Sequence, residues 1–346
     1  MYNFAQPEDL PNRTSAAAQR RLPVSSPMTS QLDPQAQDLL DVISAVGLAP
    51  IHTLPVADAR ERMRATLISA TEPLTLAGVE DISLATPSGA LRLRLYRPRE
   101  GALPVALFFH GGGWTLNDID THDDLCRRLA KRSGWLFASL DYRRAPEHKH
   151  PAALEDACWA YRWLLDNAES IACDPTCRAV VGESSGGTIA ASLTLLLRDI
   201  GAPLPTYQIL AYPLMGALDR WPSRTERGSG YTLDSEQVKW FLGHCLPENC
   251  DPADPYLFPL ASQDLSGLPP ALVMTAEFDP LRDEGVAYAE KLARAGVSVE
   301  HLHADDQMHG FLMLSRAVAR AGQLVDHLAD ALASHRAGNR AAAPQL

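Results

Sequence analysis

The sequence predicts an α/β fold in which a mostly parallel sheet lies between layers of helices. Strand-like apolar segments alternate with helical segments from about residue 79 to residue 333, and this alternation is typical of a parallel sheet that is covered on both faces. Residues 105–109 and 271–276 are continuously apolar, as expected of strands buried on both sides. Between them, a Gly-framed turn at residues 182–186 joins an apolar strand to an Ala- and Leu-rich helix.

Length and charge narrow the class of protein. The 346 residues fit one α/β catalytic domain with an added lid. A net charge of -11 and a pI near 5.4 argue against a nucleic-acid-binding face, which needs a basic patch to neutralise phosphates. Residues 1–30 lack the apolar core of a secretory signal, and no apolar run approaches the length of a membrane span. We therefore expect a cytoplasmic protein without stable membrane insertion, whose cysteines are reduced.

The N-terminal part predicts a tail followed by a helical cover. Residues 1–30 mix Pro, Ser, Ala, Gln and Arg without periodicity, which is typical of a mobile tail. Asp33 can cap a helix whose first position is Pro34, and Gly47 ends it. One side of this helix carries apolar residues, namely Leu39, Leu40, Val42, Ile43 and Val46. With a second helix predicted over residues 56–69, we interpret residues 31–75 as the first part of a cap.

The remaining chain predicts a catalytic domain interrupted by one insertion. Residues 79–86 and 91–97 alternate in polarity and indicate a hairpin through residues 87–90. The predicted elements that complete the catalytic segment 76–212 are strand 105–109, helix 123–132, strand 135–140, helix 153–167, strand 178–181, the helix after Ser185 and strand 207–210. Residues 213–259 carry aromatic residues and prolines without strand character, so we interpret them as the second part of the cap.

The catalytic domain is predicted to resume over residues 260–335. This segment contains strand 271–276, a helix ending at Gly296, strand 297–303 and a closing helix to about Ala333. Residues 336–346 are predicted to be a C-terminal tail.

The turn Gly182-Glu183-Ser184-Ser185-Gly186 has the G-x-S-x-G form of a nucleophile elbow. In such an elbow the serine is strained and exposed, so the positions two residues before and after it must be small. Moving the frame by one residue to place Ser185 at its centre would put Glu183 where a glycine is needed. Ser184 is therefore the candidate nucleophile.

A candidate acid and a candidate base follow in the chain. Ligands of an open parallel sheet bind outside the carboxyl ends of its strands, where Ser184, Asp279 and His309 are all expected. His309 lies in a loop beside a glycine, which favours a functional role. Asp279 is preferred because it lies just beyond a strand end, within reach of an imidazole from the next loop. The rival carboxylates are Glu277, Asp283, Asp305 and Asp306.

The triple glycine after residue 110 predicts an oxyanion hole. Glycines let backbone N–H groups point inward without side chains in the way. The expected donors are the N–H groups of Gly112, Gly113 and Ser185, the last of which also benefits from a helix N-terminus. His110 is expected to order this loop rather than to transfer a proton. The run contains neither G-x-G-x-x-G nor G-K-[ST], so a phosphate loop is not favoured.

No metal and no cofactor are predicted. Cys173 and Cys177, like Cys245 and Cys250, lack the paired spacing that is usual for zinc sites. His301-x-His303, on one face of a predicted strand, leaves a metal pair open.

Several motifs together resemble the hormone-sensitive-lipase-like esterases of the α/β-hydrolase fold. They are His110-Gly111-Gly112-Gly113-Trp114, Asp141-Tyr142-Arg143-Arg144-Ala145-Pro146-Glu147, Pro151-Ala152-Ala153-Leu154-Glu155-Asp156, the elbow, Asp279-Pro280-Leu281-Arg282-Asp283 and His309-Gly310-Phe311. The order Ser, Asp, His is also that of α/β-hydrolases. The resemblance implies a two-part cap, carboxylic ester hydrolysis and the catalytic roles named above. The sequence departs from the family at Glu183 and Ser185, since the family more often has Asp or Thr before the nucleophile and Ala after it.

The sequence therefore predicts a serine carboxylesterase acting on a small-molecule ester through an acyl-enzyme. The two cap segments and the bulky residues Trp114, Tyr212 and Phe311, with Trp221 and Trp240, favour a bounded pocket for short to medium acyl chains. Two alternatives stay open: an amidase or peptidase that uses the same triad, and a non-catalytic ligand-binding member of the fold. A homodimer is compatible with the sequence.

Overall fold

The computed structural model describes residues 30–68, 72–216 and 221–342, and a single eight-stranded sheet runs through them. The strands are β1 (Gly78–Thr86), β2 (Gly89–Arg97), β3 (Leu103–Phe109), β4 (Leu136–Asp141), β5 (Cys173–Glu183), β6 (Tyr207–Ala211), β7 (Ala271–Phe278) and β8 (Val299–Met308). The α-helices of the described residues are α1 (Pro34–Val46), α2 (Val56–Leu67), α3 (Asp123–Ser133), α4 (Ala152–Asp166), α5 (Ser185–Asp199), α6 (Ser223–Glu226), α7 (Ser235–Cys245), α8 (Arg282–Arg294) and α9 (Ala319–Ala342).

The sheet is parallel except at one end. Its strand order is β1-β2-β4-β3-β5-β6-β7-β8, with β1 antiparallel to β2 and β2 antiparallel to β4. Every residue of β3 and of β6 is buried, because helices cover both faces. One core layer contains Leu193 of α5 and Leu292 of α8, and the other contains Leu129 of α3 and Leu328 of α9. The predicted α/β fold class is confirmed.

The strand register brings four strand ends to one edge of the sheet. Phe109 at the end of β3 pairs with Gly182, and Glu183 at the end of β5 pairs with Ala211. On the other side Phe278 of β7 pairs with Met308 of β8. The segments that follow these strands contain the glycine loop, Ser184, Asp279 and His309, so the topology delivers all four to the same edge.

Helix α1 begins and ends where the sequence predicts. Asp33 Oδ1 accepts hydrogen bonds from the N–H groups of Gln35 at 2.8 Å and Ala36 at 3.2 Å, and Gly47 adopts a left-handed conformation with φ of 67°. Leu40 packs against the core, but the C-terminal half of the apolar side does not. Residues 41–50 are all exposed, because the helix is anchored at its first turn, where the Asp33 N–H donates to the Asp306 carbonyl at 2.8 Å.

Helix α2 is attached to the loops around the predicted site. Arg60 donates to the carbonyl of Thr115 and to that of Ala145, both at 2.8 Å, and forms a bidentate ion pair with Glu147 at 2.7 Å. This guanidinium lowers the pKa of Glu147 to about 2. Arg64 pairs with Asp118 in the same region. The helix is therefore held by charge-assisted hydrogen bonds rather than by a broad apolar face.

Three elements extend beyond their predicted bounds. Strand β5 begins at Cys173, and β8 continues through the polar residues 304–308 to Met308. These residues fit a strand because β8 lies at the edge of the sheet and can turn Asp305 to solvent. Helix α9 continues to Ala342, past the predicted end near Ala333, because its Ala- and Arg-containing end favours helix. Of the predicted N-terminal tail, residues 1–29 lie outside the described part of the chain, as do 343–346 at the C-terminus.

Candidate active site

Ser184 lies at a strained turn between β5 and α5. Its backbone has φ of 54° and ψ of -125°, and its N–H donates to the carbonyl of Ala211 at 2.9 Å. A β-carbon at Gly182 would lie 2.1 Å from the carbonyl oxygen of Gly186, and one at Gly186 would lie 2.0 Å from that of Phe109. Side chains are thus sterically excluded at both positions, and the strained geometry exposes the serine at the end of the strand.

The structure brings Ser184, His309 and Asp279 into one hydrogen-bonded chain. Nε2 of His309 lies 2.9 Å from Ser184 Oγ, and Nδ1 lies 2.7 Å from Asp279 Oδ2. A carboxylate can only accept, so Nδ1 carries a proton and Nε2 is left to accept from the serine hydroxyl. Asp279 is completely buried, and its Oδ1 accepts from the Leu281 N–H at 2.7 Å. The imidazole is therefore held in the tautomer that can take a proton from Ser184.

Two of the four rival carboxylates, Asp283 and Glu277, have other partners. Asp283 accepts from the Ser223 N–H at 2.8 Å and from Arg282 at 2.8 Å. Glu277 pairs with Arg227 at 2.6 Å and also with Arg282. The contacts of Asp283 with Ser223 and of Glu277 with Arg227 join the end of β7 and the start of α8 to the insertion, near α6. Asp283 and Glu277 therefore hold the insertion in place.

The glycine loop presents backbone donors beside the serine. Gly112 and Gly113 have φ of 116° and 60°, which glycine tolerates without strain. Within residues 30–68, 72–216 and 221–342, the N–H groups of Gly112, Gly113 and Ser185 have no hydrogen-bond acceptor. The Trp114 N–H donates to Ser185 Oγ at 3.2 Å, which ties the end of the loop to the elbow. These three N–H groups are available for a ligand oxygen.

His110 is part of the scaffold of this loop. Nδ1 lies 2.8 Å from the Gly111 carbonyl, and the ring stacks on Tyr142 with centroids 4.2 Å apart. The Tyr142 hydroxyl donates to the His110 carbonyl at 2.8 Å. Burial lowers the pKa of His110 well below its ordinary value, so the ring is neutral. This environment agrees with an ordering role.

Two of the predicted pocket residues lie beside the catalytic imidazole, and the third follows the glycine loop. Tyr212 packs edge-on against His309 with ring centroids 4.8 Å apart, and against Phe311 with centroids 5.1 Å apart. Tyr212 is 1% exposed and Phe311 is fully buried, so in this conformation both support the imidazole. Trp114 is 6% exposed and continues the glycine loop. Substrate contact by these residues stays a prediction.

Sequence reasoning noted Glu183 only as a departure from the family pattern, and it did not single out His122. Glu183, at the end of β5, is 4% exposed, and its carboxylate lies 3.0 Å from Nε2 of the fully buried His122. An acidic residue at the end of an apolar strand was the available signal, because a buried carboxylate needs a partner. The partner, 61 positions earlier in the chain, could not be read from spacing.

The described ranges contain no group of three or more His, Cys, Asp or Glu residues arranged to hold a metal ion. His301 and His303 instead share the hydroxyl of Thr275, at 3.0 and 2.9 Å, and all six cysteines are free thiols. No helix of the described residues is long and apolar enough to cross a membrane. The cytoplasmic location and the compatibility with a homodimer stay predictions.

Comparisons with known proteins give the family. The profile of a family described as having the alpha/beta hydrolase fold matches residues 106–313. Carboxylic ester hydrolase LipN of Mycobacterium tuberculosis is 39% identical over 315 residues, which are 88% of this chain and 83% of that protein. An ethyl acetate hydrolase of Pseudomonas putida is 36% identical over 304 residues, covering 84% and 94%. Among solved structures, the esterase of Pyrobaculum calidifontis superposes with a TM-score of 0.82 at 37% identity, covering 88% and 98%.

The chain belongs to the α/β-hydrolase fold family and, within it, to the hormone-sensitive-lipase-like esterases. The resemblance drawn from the motifs is thereby confirmed, as is the predicted class of enzyme, a carboxylic ester hydrolase.

Proposed function

We propose that this esterase hydrolyses small carboxylic esters with acyl chains from acetate to about octanoate, through an acyl-enzyme on Ser184. The observation that carries the proposal is the continuous hydrogen-bonded chain from Ser184 through His309 to Asp279. It lies beside three backbone N–H groups that have no acceptor among the described residues. A nucleophile, a base, an orienting carboxylate and oxyanion donors are the set of groups that acyl transfer requires.

Each group has a defined step in the proposed mechanism. Nε2 of His309 takes the Ser184 proton while Oγ attacks the ester carbonyl, and Asp279 stabilises the imidazolium that forms. The carbonyl oxygen becomes an oxyanion bound by the N–H groups of Gly112, Gly113 and Ser185. The intermediate collapses with a proton from His309 passing to the leaving alcohol. A water molecule, deprotonated by the same imidazole, then hydrolyses the acyl-enzyme and frees the acid.

The segments 31–75 and 213–259 form, in this proposal, a two-part cap over the site. Nδ1 of His52 lies 3.6 Å from Oδ1 of Asp234 at the start of α7, so the two segments meet. The insertion also reaches the triad, because the Thr232 hydroxyl donates to the His309 carbonyl at 2.5 Å. The cap therefore contacts the loop that carries the base.

The preference for shorter acyl chains rests on how closely this cap approaches the glycine loop. A β-carbon at Gly113 would lie 2.1 Å from Cγ of Phe241, so a ring from α7 lies directly on one oxyanion donor. Phe241 is itself packed edge-on by Trp240, with centroids 5.3 Å apart. Trp114, which follows the loop, and Ile189 of α5 line a cavity of about 20 Å³, about the room of one water molecule. A site with such walls accepts a chain of limited length.

One relative is named an ethyl acetate hydrolase, and this name supports the lower end of the size range.

Of the two other readings of the site, the ligand-binding one is less favoured. A ligand-binding member would not need a base oriented towards the serine, and His309 is so oriented. Amide turnover requires the same groups, so only a direct rate comparison separates it from ester turnover.

Purified protein and a series of p-nitrophenyl esters from acetate to palmitate test the proposal. We expect kcat/KM to peak at or below octanoate and to fall for longer chains, with p-nitroanilides of the same acids turned over far more slowly. A continuing rise to palmitate, together with turnover of emulsified triolein, would refute the bounded pocket. Equal rates on the anilides would favour the amidase reading.

A further inference from the structure

We propose that Glu183 is a positioning residue that holds the glycine loop against the nucleophile elbow through a buried pair with His122. The inference rests on the proposed function, because it concerns the oxyanion donors that serve Ser184. Glu183 directly precedes the nucleophile, and its carboxylate turns inward, away from solvent. It thus connects the strand that carries the serine to the loop that carries the donors.

The carboxylate lies on the backbone of the glycine loop. A β-carbon at Gly111 would be 1.9 Å from Glu183 Oε1, so the space beside residue 111 is occupied by this side chain. The Gly111 amide also stabilises its negative charge. The next two residues are the proposed donors Gly112 and Gly113. A group that fixes residue 111 therefore fixes the direction in which the following N–H groups point.

His122 holds the same carboxylate from the other side. Its Nε2 lies 3.0 Å from Glu183 Oε1, and its Nδ1 lies 3.0 Å from Thr121 Oγ1. The Thr121 hydroxyl in turn donates to the Asp118 carbonyl at 2.7 Å. A carboxylate only accepts, so Nε2 donates to Glu183. The pair is therefore a buried histidine and a buried carboxylate joined by a hydrogen bond.

The electrostatic balance at Glu183 agrees with an ionised acid. Burial by itself would raise the pKa of this carboxyl, but the hydrogen bond and charge of His122, with the Gly111 amide, hold the pKa below its ordinary value. His309 acts in the same direction. Loss of His122 would leave a buried carboxylate without its partner, and loss of Glu183 would leave a buried imidazole without its acceptor, and both changes are destabilising. The glycine loop, which packs on the carboxylate at Gly111, would be free to shift.

The length of the glutamate side chain allows it to bridge two segments. An aspartate at this position would be shorter by one methylene. The longer side chain contacts Gly111 and His122 at once. We infer that the longer side chain couples the loop to α3, whose first residue follows His122.

Glu183→Gln is the test variant, because it keeps the size and removes the charge. A glutamine has one acceptor oxygen, and its NH₂ group cannot accept from His122 or from Gly111. With p-nitrophenyl butyrate, we expect kcat per phosphonate-titrated active site to fall about 10- to 100-fold with KM within about twofold, less than the 10²–10³ for removing a whole oxyanion donor. The inhibition constant of a trifluoromethyl ketone, whose adduct oxygen occupies the same donors, should rise in parallel.

Asp156→Asn is the matched control. Asp156 is also fully buried and ion-paired, accepting from Arg143 Nε at 2.9 Å and from the Arg143 N–H at 2.7 Å, but it contacts neither the loop nor the elbow. We expect it to lower the melting temperature and to leave kcat per titrated site unchanged. If Glu183→Gln does not fold, the second variant is His122→Ala, which removes the partner. It is expected to give the same fall in kcat with little change in KM.

The outcomes separate this inference from the proposed function. Wild-type protein without activity on any p-nitrophenyl ester would overturn the proposed function. An active wild type with unchanged kcat and ketone inhibition in Glu183→Gln would overturn only the positioning role. Equal losses of kcat per titrated site in Glu183→Gln and Asp156→Asn would also overturn it, because they would show a general effect of removing a buried charge.

Discussion

The nucleophile elbow and the N-terminal helix α1 contrast in what surrounds them. At the elbow, added β-carbons on Gly182 and Gly186 would meet backbone atoms at 2.1 and 2.0 Å. On α1, Val42 and Ile43 are 60% and 49% exposed, although both segments are equally clear sequence patterns. Each glycine of the elbow marks a position that a backbone neighbour already fills, Gly186 of the same turn at Gly182 and Phe109 of the adjacent strand β3 at Gly186. The apolar side of a helix shows which face could be buried, but it does not show which segment of the chain packs on that face.

The contrast implies that substitutions at the elbow change the catalytic rate, whereas those in the exposed part of α1 change neither rate nor stability by much. Ser184→Ala is expected to have the largest effect. Without the nucleophile we expect kcat to fall by up to about 10⁶-fold, as in other serine triads, while the melting temperature changes little. The measurement is initial-rate kinetics on p-nitrophenyl butyrate, with Ser185→Ala as the control. Ser185→Ala should stay active, because the proposed donor at 185 is a backbone N–H. Loss of activity only in Ser185→Ala would reverse the assignment.

The next largest effect is expected at Asp279. Asp279→Asn would leave an amide where Nδ1 of His309 needs an acceptor, which favours the wrong tautomer and costs about 10⁴-fold in kcat. Asp283→Asn is the matched comparison, because Asp283 contacts Ser223 and Arg282 instead. We expect a much smaller effect there, measured as kcat on the same ester. Comparable damage from the two variants would contradict the choice of Asp279.

Much of this site could be predicted because its signals are local. The glycine frame and the cap of α1 at Asp33 each depend on residues close in sequence, and Ser184, Asp279 and His309 each directly follow the end of a strand. The contact of Phe241 with Gly113 and that of Glu183 with His122 depend on how distant segments meet. The extension of β8 was missed for a similar reason, since its polar residues join a strand only because it lies at the edge of the sheet.

Phe241→Ala tests whether the cap limits the substrate. Removing the ring that lies on Gly113 should widen the site, so we expect kcat/KM for decanoate relative to acetate to rise about tenfold, which is the range that one or two methylenes contribute in an apolar pocket. Lys239→Ala on the same helix is the control, because Lys239 is exposed. An unchanged chain-length profile would show that Phe241 does not bound the acyl site.

The smallest expected effect is the change in stability from a substitution on the exposed face of α1. Ile43→Ala should change the free energy of unfolding by no more than about 0.5 kcal/mol, because the side chain is half exposed. Leu193→Ala on α5, where the side chain is fully buried, should cost about 2–5 kcal/mol. Urea unfolding of the two variants gives both values. A large loss at Ile43 would show that its face is covered in solution.

The central claim, that ester turnover passes through an acyl-enzyme on Ser184, is tested most directly by labelling. The protein is treated with a serine-directed fluorophosphonate until ester hydrolysis stops, then digested and sequenced by tandem mass spectrometry across residues 182–186. We expect one adduct per chain, localised to Ser184, in proportion to the activity lost, and none in Ser184→Ala. An adduct on Ser185, or full loss of activity without an adduct on Ser184, would contradict the account.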